Sequence, residues 1–281
     1  MSATRHKTAL ITGASSGIGR STSLYLARKG YSVIGTSRSM ARLADLQAEA
    51  SGEDLSVAAV ELDINRDEDV ARVVPGLVDE YGAIDVLVNN AGYGLWGPVE
   101  CLALEEVRTQ FEVNFFAALR LIKAVLPGMM RNRRGWIVNV SSVLGRIGTP
   151  FNGAYVASKF ALEGMSESLR TELWPFGIRV AVVEPGLFDT NFQANQVAGE
   201  ATSSPDLAYS PYLTRYRAGH GRFDRLASDP IKVARAIHKI ARSRRPAFRH
   251  PVGVEARLGT LGSRFMPERL FQAMVRKATM G

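Results

Sequence analysis

The chain has 281 residues, 46% of them hydrophobic, with one cysteine and a formal charge of +8. That length and composition exclude a disordered chain and a disulfide-stapled mini-domain, and they suit one large globular domain with a sizeable core. The charge is uneven: residues 1–190 hold 19 Lys and Arg against 21 Asp and Glu, whereas 191–281 hold 16 against 6, so the tail carries the whole basic excess.

In chain order, the first element is a strand, TALIT (8–12), which runs into TGASSGIG and then a helical period from 17 to 29. Gly13, Gly17 and Gly19 therefore sit at a strand-to-helix turn, where bare backbone N–H groups and the positive helix end can meet a phosphate with no Cβ in the way. That position, after the first strand of an alternating pattern, points to a dinucleotide. The second strand, YSVIGTS (31–37), leads into Arg38 and lacks the Asp or Glu that takes a ribose 2′-hydroxyl in an NAD site. A guanidinium there can clamp a 2′-phosphate, so NADP(H) is expected ahead of NAD(H). After the third strand, SVAAVEL (56–62), Asp63 could accept from an adenine amino group or cap the next turn.

The pattern continues with a helix over 67–80, a strand IDVLVNN (84–90), a helix over 104–130, a strand GWIVNVSS (135–142), a helix over 155–175 and a strand IRVAVVEPG (178–186). Strands apolar at consecutive positions alternate with segments long enough to cross back. The fold is therefore α/β: a Rossmann-type doubly wound parallel sheet with helices on both faces, in a single domain. Residues 7–190 read as its cofactor-binding and catalytic core. After Thr190 the alternation fades, and 191–281 reads as a substrate lid followed by C-terminal helices packed on the same core.

The basic tail could meet nucleic acid, anionic lipid or an acidic partner. No DNA-binding motif accompanies its arginines, so they read as solvated faces of amphipathic helices and no nucleic-acid partner is expected. The stretch RFMPERLFQAMVRK (264–277) could rest on a membrane surface or cover the core, and covering the core is the reading adopted. No apolar run approaches the ~18 residues of a spanning helix. With Cys101 alone and no charged-then-apolar leader ahead of the first strand, a reducing cytoplasm is the expected location. The histidines at 6, 220, 238 and 250 share no ligand spacing, and no metal site is expected.

The chemistry centres on YVASK (155–159), whose helical spacing puts Tyr155 and Lys159 on one face, roughly 6 Å apart along the axis. A free tyrosine titrates near ~10, so acid–base work at neutral pH asks for a shift of about three units, or about 4 kcal/mol. A nearby ammonium favours the phenolate. Tyr155 could then give a proton to a carbonyl oxygen as hydride arrives at carbon, or take one from an alcohol in reverse. Ser141 and Ser142 end the fifth strand, where ligands of open α/β sheets bind, and one of them could hold the substrate oxygen. Asn114, polar among apolar neighbours, could be a structural tie or a water-holding relay.

Together these residues resemble the short-chain dehydrogenase/reductase family from about Lys7 to Thr190. TGASSGIG is similar to its cofactor loop, NNAG (89–92) to its fourth-strand motif, YVASK to its Y-x3-K, and Pro185–Gly186 with Thr190 to its nicotinamide loop. The resemblance implies that Tyr155 is the general acid/base and that Lys159 lowers its pKa while bonding the nicotinamide ribose. It also implies that Ser142, thirteen residues before Tyr155, orients the substrate oxygen, and that Asn114 supports a proton path to Lys159. Cofactor contacts implied are Gly13, Ser15, Ser16, Gly17, Ile18 and Gly19, then Arg38, Asp63, Ile64, Asn90, Ala91 and Gly92, and finally Tyr155, Lys159, Pro185, Gly186, Phe188 and Thr190. The stretch 150–180 is similar to the 17β-hydroxysteroid and retinol dehydrogenase branch, which implies an apolar carbonyl or alcohol substrate under a lid supplying Phe188, Phe192, Tyr209 and Tyr212. A homodimer or homotetramer, paired through helices 104–130 and 155–175, is expected by the same resemblance. The competing reading is a cofactor-sensing protein without turnover, against which the intact Ser-Tyr-Lys set argues.

Overall fold

The computed structural model describes residues 6–204, 207–223 and 227–280, with the side chains of 203 and 217–223 set aside, so the side chain of His220 lies outside the described residues. Nine strands are described: β1 (Thr8–Thr12), β2 (Ser32–Ser37), β3 (Val57–Glu61), β4 (Val86–Asn89), β5 (Leu95–Trp96), β6 (Gly135–Val140), β7 (Ile178–Pro185), β8 (Val197–Ala198) and β9 (Arg249–Val252). The helices are α1 (Gly17–Arg28), α2 (Ala44–Gly52), α3 (Asp67–Tyr81), α4 (Leu104–Phe111), α5 (Ala117–Arg131), α6 (Gly153–Glu172), α7 (Ser210–Phe223), α8 (Ile231–Arg242), α9 (Val254–Phe265) and α10 (Glu268–Met280).

Seven strands form one parallel sheet in the order β3-β2-β1-β4-β6-β7-β9. Side chains leave a strand alternately to its two faces, and the core is sorted accordingly. Ala9, Ile11, Val33, Val86, Val88, Val138 and Val183 share one cluster with Leu26 of α1 and Val233, Ile237 and Ile240 of α8. Leu10, Ile34, Leu87, Ile137 and Val180 share the other with Val70, Val74 and Leu77 of α3 and Leu121, Ile122, Val125 and Met129 of α5. Helices thus cover both faces. The strand order reverses between β1 and β4, which leaves a crevice at their carboxyl ends.

The six strands and the long helices of the sequence reading are present with ends shifted by one to three residues, and three features differ. The 104–130 segment is not one α-helix: a π-turn over Glu112–Phe116 separates α4 from α5 and carries Asn114. Leu104–Arg131 as a whole has the length and composition of a spanning helix. Its apolar side is spent on the sheet, as in a core helix, and Arg120 reaches back to Ile64 O at 2.9 Å.

The second difference lies in 191–281, which is more than lid and helices. Arg249–Val252 pairs with β7 as the seventh strand of the main sheet, and α8 packs on the same face as α1. A strand of only four residues, RHPV, with proline in it gives no periodic signal, and an edge position is where such a strand is tolerated. The third is a two-stranded parallel sheet, β5 with β8, that ties the loop after β4 to the segment beyond Thr190. Among the described residues no three His, Cys, Asp or Glu side chains gather as a metal would require.

Because Ile237 of α8 is fully buried against the sheet, Ile237→Ala is expected to lower the unfolding free energy by about 3 kcal/mol, read from urea denaturation. A loss below about 1 kcal/mol would show α8 to be peripheral.

Candidate active site

The loop between β1 and α1 is drawn as tightly as backbone allows. Gly13 and Gly17 have φ of +65° and +52°, and a Cβ on Gly19 would collide with the Gly13 carbonyl. Asn90 donates from Nδ2 to Thr12 O at 2.9 Å, and the backbone N–H groups of Asn90 and Ala91 both donate to Thr12 Oγ1 at 3.0 Å. The ends of β1 and β4 are thereby locked together at the crevice. Ser16 caps α1 without a side-chain bond, which leaves the first-turn N–H groups of Gly17, Ile18 and Gly19 available to a ligand. The Thr190 side chain lies against Gly17, with its Cβ 3.0 Å from where a Gly17 Cβ would be.

Arg38 is exposed just beyond β2 and has no ion-pair partner among the described residues. Asp63, just beyond β3, accepts from Asn65 N at 3.1 Å, so it caps the turn that the sequence left as one of two options, and Ile64 beside it is buried. The geometry suits a dinucleotide: close glycine packing, free helix-end N–H groups and an unpaired guanidinium lie along the carboxyl ends of β1 to β3. When bound, such a cofactor supplies or accepts the hydride at its nicotinamide.

On the other side of the crevice α6 presents Tyr155 and Lys159, 7% and 4% exposed. Lys159 Nζ donates to Val140 O at 3.0 Å and sits 5.8 Å from the Tyr155 ring centre. Tyr155 is hydrogen-bonded to Ser142, whose Oγ also accepts from Leu144 N at 3.1 Å. Ser141 is turned elsewhere: its Oγ lies 2.5 Å from where a Gly145 Cβ would stand, beside Glu163. Asn114 donates to Tyr93 O and Ser158 Oγ at 3.1 Å each and accepts from Tyr93 N at 3.1 Å, while its Oδ1 abuts Gly92. The π-turn thus aims an amide at the loop after β4, and π-turns of this kind recur at functional sites.

Residues 7–201 match the family described as short chain dehydrogenase. The chain belongs to the short-chain dehydrogenase/reductase family. It is 38% identical over 268 residues to a 3-ketodihydrosphingosine reductase of Bacteroides thetaiotaomicron, covering 95% of this chain and 96% of that one. Human retinol dehydrogenase 8 is 41% identical over 259 residues, covering 88% and 82%. A short-chain dehydrogenase structure from Streptomyces avermitilis superposes with a TM-score of 0.83 at 34% identity, covering 98% and 96%. This short-chain dehydrogenase/reductase is an oxidoreductase whose fold binds a nicotinamide cofactor.

Within the enzyme, the electrostatics of the tyrosine differ from the sequence expectation. Burial pushes Tyr155 up to about 12, with Ser142 pulling the other way; the shift is upward, opposite to the depression expected from Lys159. Burial likewise drives Lys159 down to about 8, opposed by Glu163 one turn further along α6. Glu163 belongs to a buried cluster the sequence did not reveal. Arg249 of β9 pairs with it at 3.0 Å and lies 3.6 Å from Glu184 of β7, while Arg146 reaches Glu184 at 3.3 Å. Burial and the neighbouring Glu184 raise Glu163 to about 7. Helical spacing from Lys159 was a signal for Glu163, but nothing in RHPV announced its partner.

The remaining predicted residues divide. Gly186 N donates to Val252 O at 3.0 Å and Leu187 N to Glu255 Oε1 at 2.6 Å, so the Pro185–Gly186 turn is pinned by β9 and α9. Phe192 lies tilted against Tyr155, with ring centres 5.7 Å apart, which puts it at the site. Phe188 is in the core cluster with α8, Tyr209 donates to Glu100 at 3.1 Å, and Tyr212 is exposed. The segment beyond Thr190 is anchored instead by Tyr216, which stacks on Trp96 and meets Phe151 edge-on. Phe151 itself holds φ of +63°, a strained setting for a bulky residue that its packing must enforce.

Burying the Lys159 cation costs stability, and the sign follows from its lowered pKa. Below pH 8 the penalty is fully present; between about 8 and the ordinary 10.5 the unfolded chain holds the proton longer than the folded one, so stability rises with pH. Lys159→Met is therefore expected to raise the unfolding free energy at pH 7 by about 2 kcal/mol, after the lost bond to Val140 is allowed for, and to gain less at pH 10. Urea titrations at both pH values check this, and a variant destabilised at pH 7 would refute it.

Proposed function

We propose that this enzyme is an NADP(H)-dependent carbonyl reductase and alcohol dehydrogenase acting on apolar substrates, and that Tyr155 is its proton donor. The observation that carries the reading is the convergence of Ser142, Tyr155 and Lys159 on the crevice opposite the glycine loop. A phenol raised to about 12 stays protonated at neutral pH, so it can give its proton from Oη to an oxygen that gains charge as hydride reaches the carbon. Ser142 holds that oxygen beside the phenol, and Lys159 keeps positive charge behind it. These roles suit reduction of a carbonyl in particular.

Arg38 supports NADP(H) over NAD(H), since it stands unpaired beyond β2 and the strand itself ends without an Asp or Glu, the neighbouring Glu61 of β3 being engaged by Met40 N at 3.0 Å. In this reading Gly13 to Gly19 hold the pyrophosphate, Asp63 and Ile64 meet the adenine, Asn90 to Gly92 line the cofactor, and Pro185 to Thr190 hold the nicotinamide end. Phe192 over Tyr155 supports an apolar substrate, as do the names of two relatives, a sphingoid-base reductase and a retinol dehydrogenase. Residues 191–204 and α7 form the lid. Phe116 and Phe160, 46% and 45% exposed on the two long helical segments, support pairing of subunits there.

Arg38→Ala is expected to raise the Michaelis constant for NADPH tenfold or more, from loss of a charge-assisted contact worth about 1.5–3 kcal/mol, while that for NADH barely moves. Equal effects on both would remove Arg38 from the 2′-phosphate site. Tyr155→Phe should cut kcat on a long-chain ketone by a factor of about 10² to 10⁴ and leave NADPH binding, followed by fluorescence, unchanged. Wild-type protein that binds NADPH but turns over nothing in a panel of short- and long-chain ketones and alcohols would instead be a cofactor sensor.

A further inference from the structure

The C-terminal helices are built inside out. On α9 the side chains turned inward are small: Ala256 is buried, and Gly259 comes so close to the loop after Ser142 that an added Cβ would stand 3.0 Å from Ile147 and 3.5 Å from Val143. The bulky side chains point the other way. Val254, Leu258, Leu261 and Phe265 recur at helical spacing on one face, 70%, 63%, 56% and 71% exposed. On α10 only Phe271 is buried, against Gly262, whereas Leu270 and Met274 are 59% and 48% exposed. The expectation that this end covers the core is met by Phe271 and by Met280, which packs against Phe151, Leu213 and Tyr216, and not by the apolar face of α9.

The charges around this face are predominantly basic. Exposed Arg257 and Arg264 flank the stripe on α9, and α10 adds Arg269, Arg276 and Lys277. Of the two acids in the same stretch, Glu255 is turned inward to accept from Leu187 N at 2.6 Å, which leaves Glu268. A contiguous exposed apolar surface marks an interaction site. A symmetric contact between two copies of this face would set arginine against arginine, whereas a surface of anionic lipid complements them.

We propose that α9 and α10 seat the protein on an anionic membrane surface, with the Val254–Leu258–Leu261–Phe265 stripe entering the headgroup–acyl boundary and the arginines meeting lipid phosphates and carboxylates. Because the opposite side of α9 is the wall of the loop after Ser142, the seated protein holds its substrate crevice about one helix diameter, roughly 10 Å, from the lipid. An apolar substrate would then pass from bilayer to crevice without crossing bulk water. The seating itself does not depend on the proposed catalysis.

Flotation of the intact protein with phosphatidylcholine vesicles, with and without phosphatidylserine, tests it. Wild type is expected to float with the phosphatidylserine vesicles and to be released in part by high salt. Leu258→Gln/Leu261→Gln/Phe265→Gln should reduce vesicle binding at least tenfold with an unchanged thermal midpoint, since all three side chains are exposed. Arg257→Gln/Arg264→Gln should lose the preference for phosphatidylserine. Wild type that stays with the soluble fraction, or a triple variant that floats as well as wild type, would overturn the proposal. So would a triple variant that changes only the sedimenting mass, which would make this face a contact between copies of the chain.

Discussion

Parallel strands cannot be joined by a tight turn, so every connection in the main sheet must leave its strand, cross a face and return. The direction of that crossing reverses between β1 and β4. At the reversal two neighbouring connections diverge to opposite faces, and the carboxyl ends between them are left uncovered. The rest of the site follows from that opening. The glycine loop occupies it because only glycine tolerates the positive φ and the backbone approach required there. Thr12 and Asn90 then close the seam between β1 and β4 from beneath.

Buried charges gather beside this opening. Lys159 is a cation almost without solvent contact, satisfied by one carbonyl of β6 and balanced by Glu163 along the same helix. Glu163 is in turn held by Arg249, which also faces Glu184. Removing Arg249 from this arrangement would leave Glu163 and Glu184 buried with less compensating charge. The last strand of the sheet is therefore tied to the reactive end of α6 although it lies far away in the sequence. The Pro185–Gly186 turn is fastened to the same strand and to Glu255.

The tail reverses the usual relation between side-chain size and exposure. On α9 the small residues make the close contact with the loop after Ser142, and Val254, Leu258, Leu261 and Phe265 face outward among arginines. The basic excess seen in composition is thus not a diffuse property of solvated helices. Part of it borders a specific apolar face on the helix that packs against the loop after Ser142.

The parallel sheet with helices on both faces was legible because runs such as TALIT and IDVLVNN are apolar at consecutive positions and are spaced by helical segments, a pattern that few folds satisfy; the order of its strands was not. Tyr155 and Lys159 were legible through their spacing on one helix, and Ser142 through resemblance. The sequence alone could not separate Ser141 from Ser142 by chemistry; the tertiary structure does, because adjacent residues at a strand end point to opposite sides and Gly145 receives one of them. It could not find β9, since an edge strand of four residues containing proline owes its existence to the open edge of β7 and not to its own propensity. Nor could it weigh Lys159 against burial in setting the Tyr155 proton, since helical spacing shows proximity but not the loss of water around both groups. Local pattern determined which elements form and which residues share a face; only packing decided which groups are desolvated, which charges meet, and which apolar face is left outside.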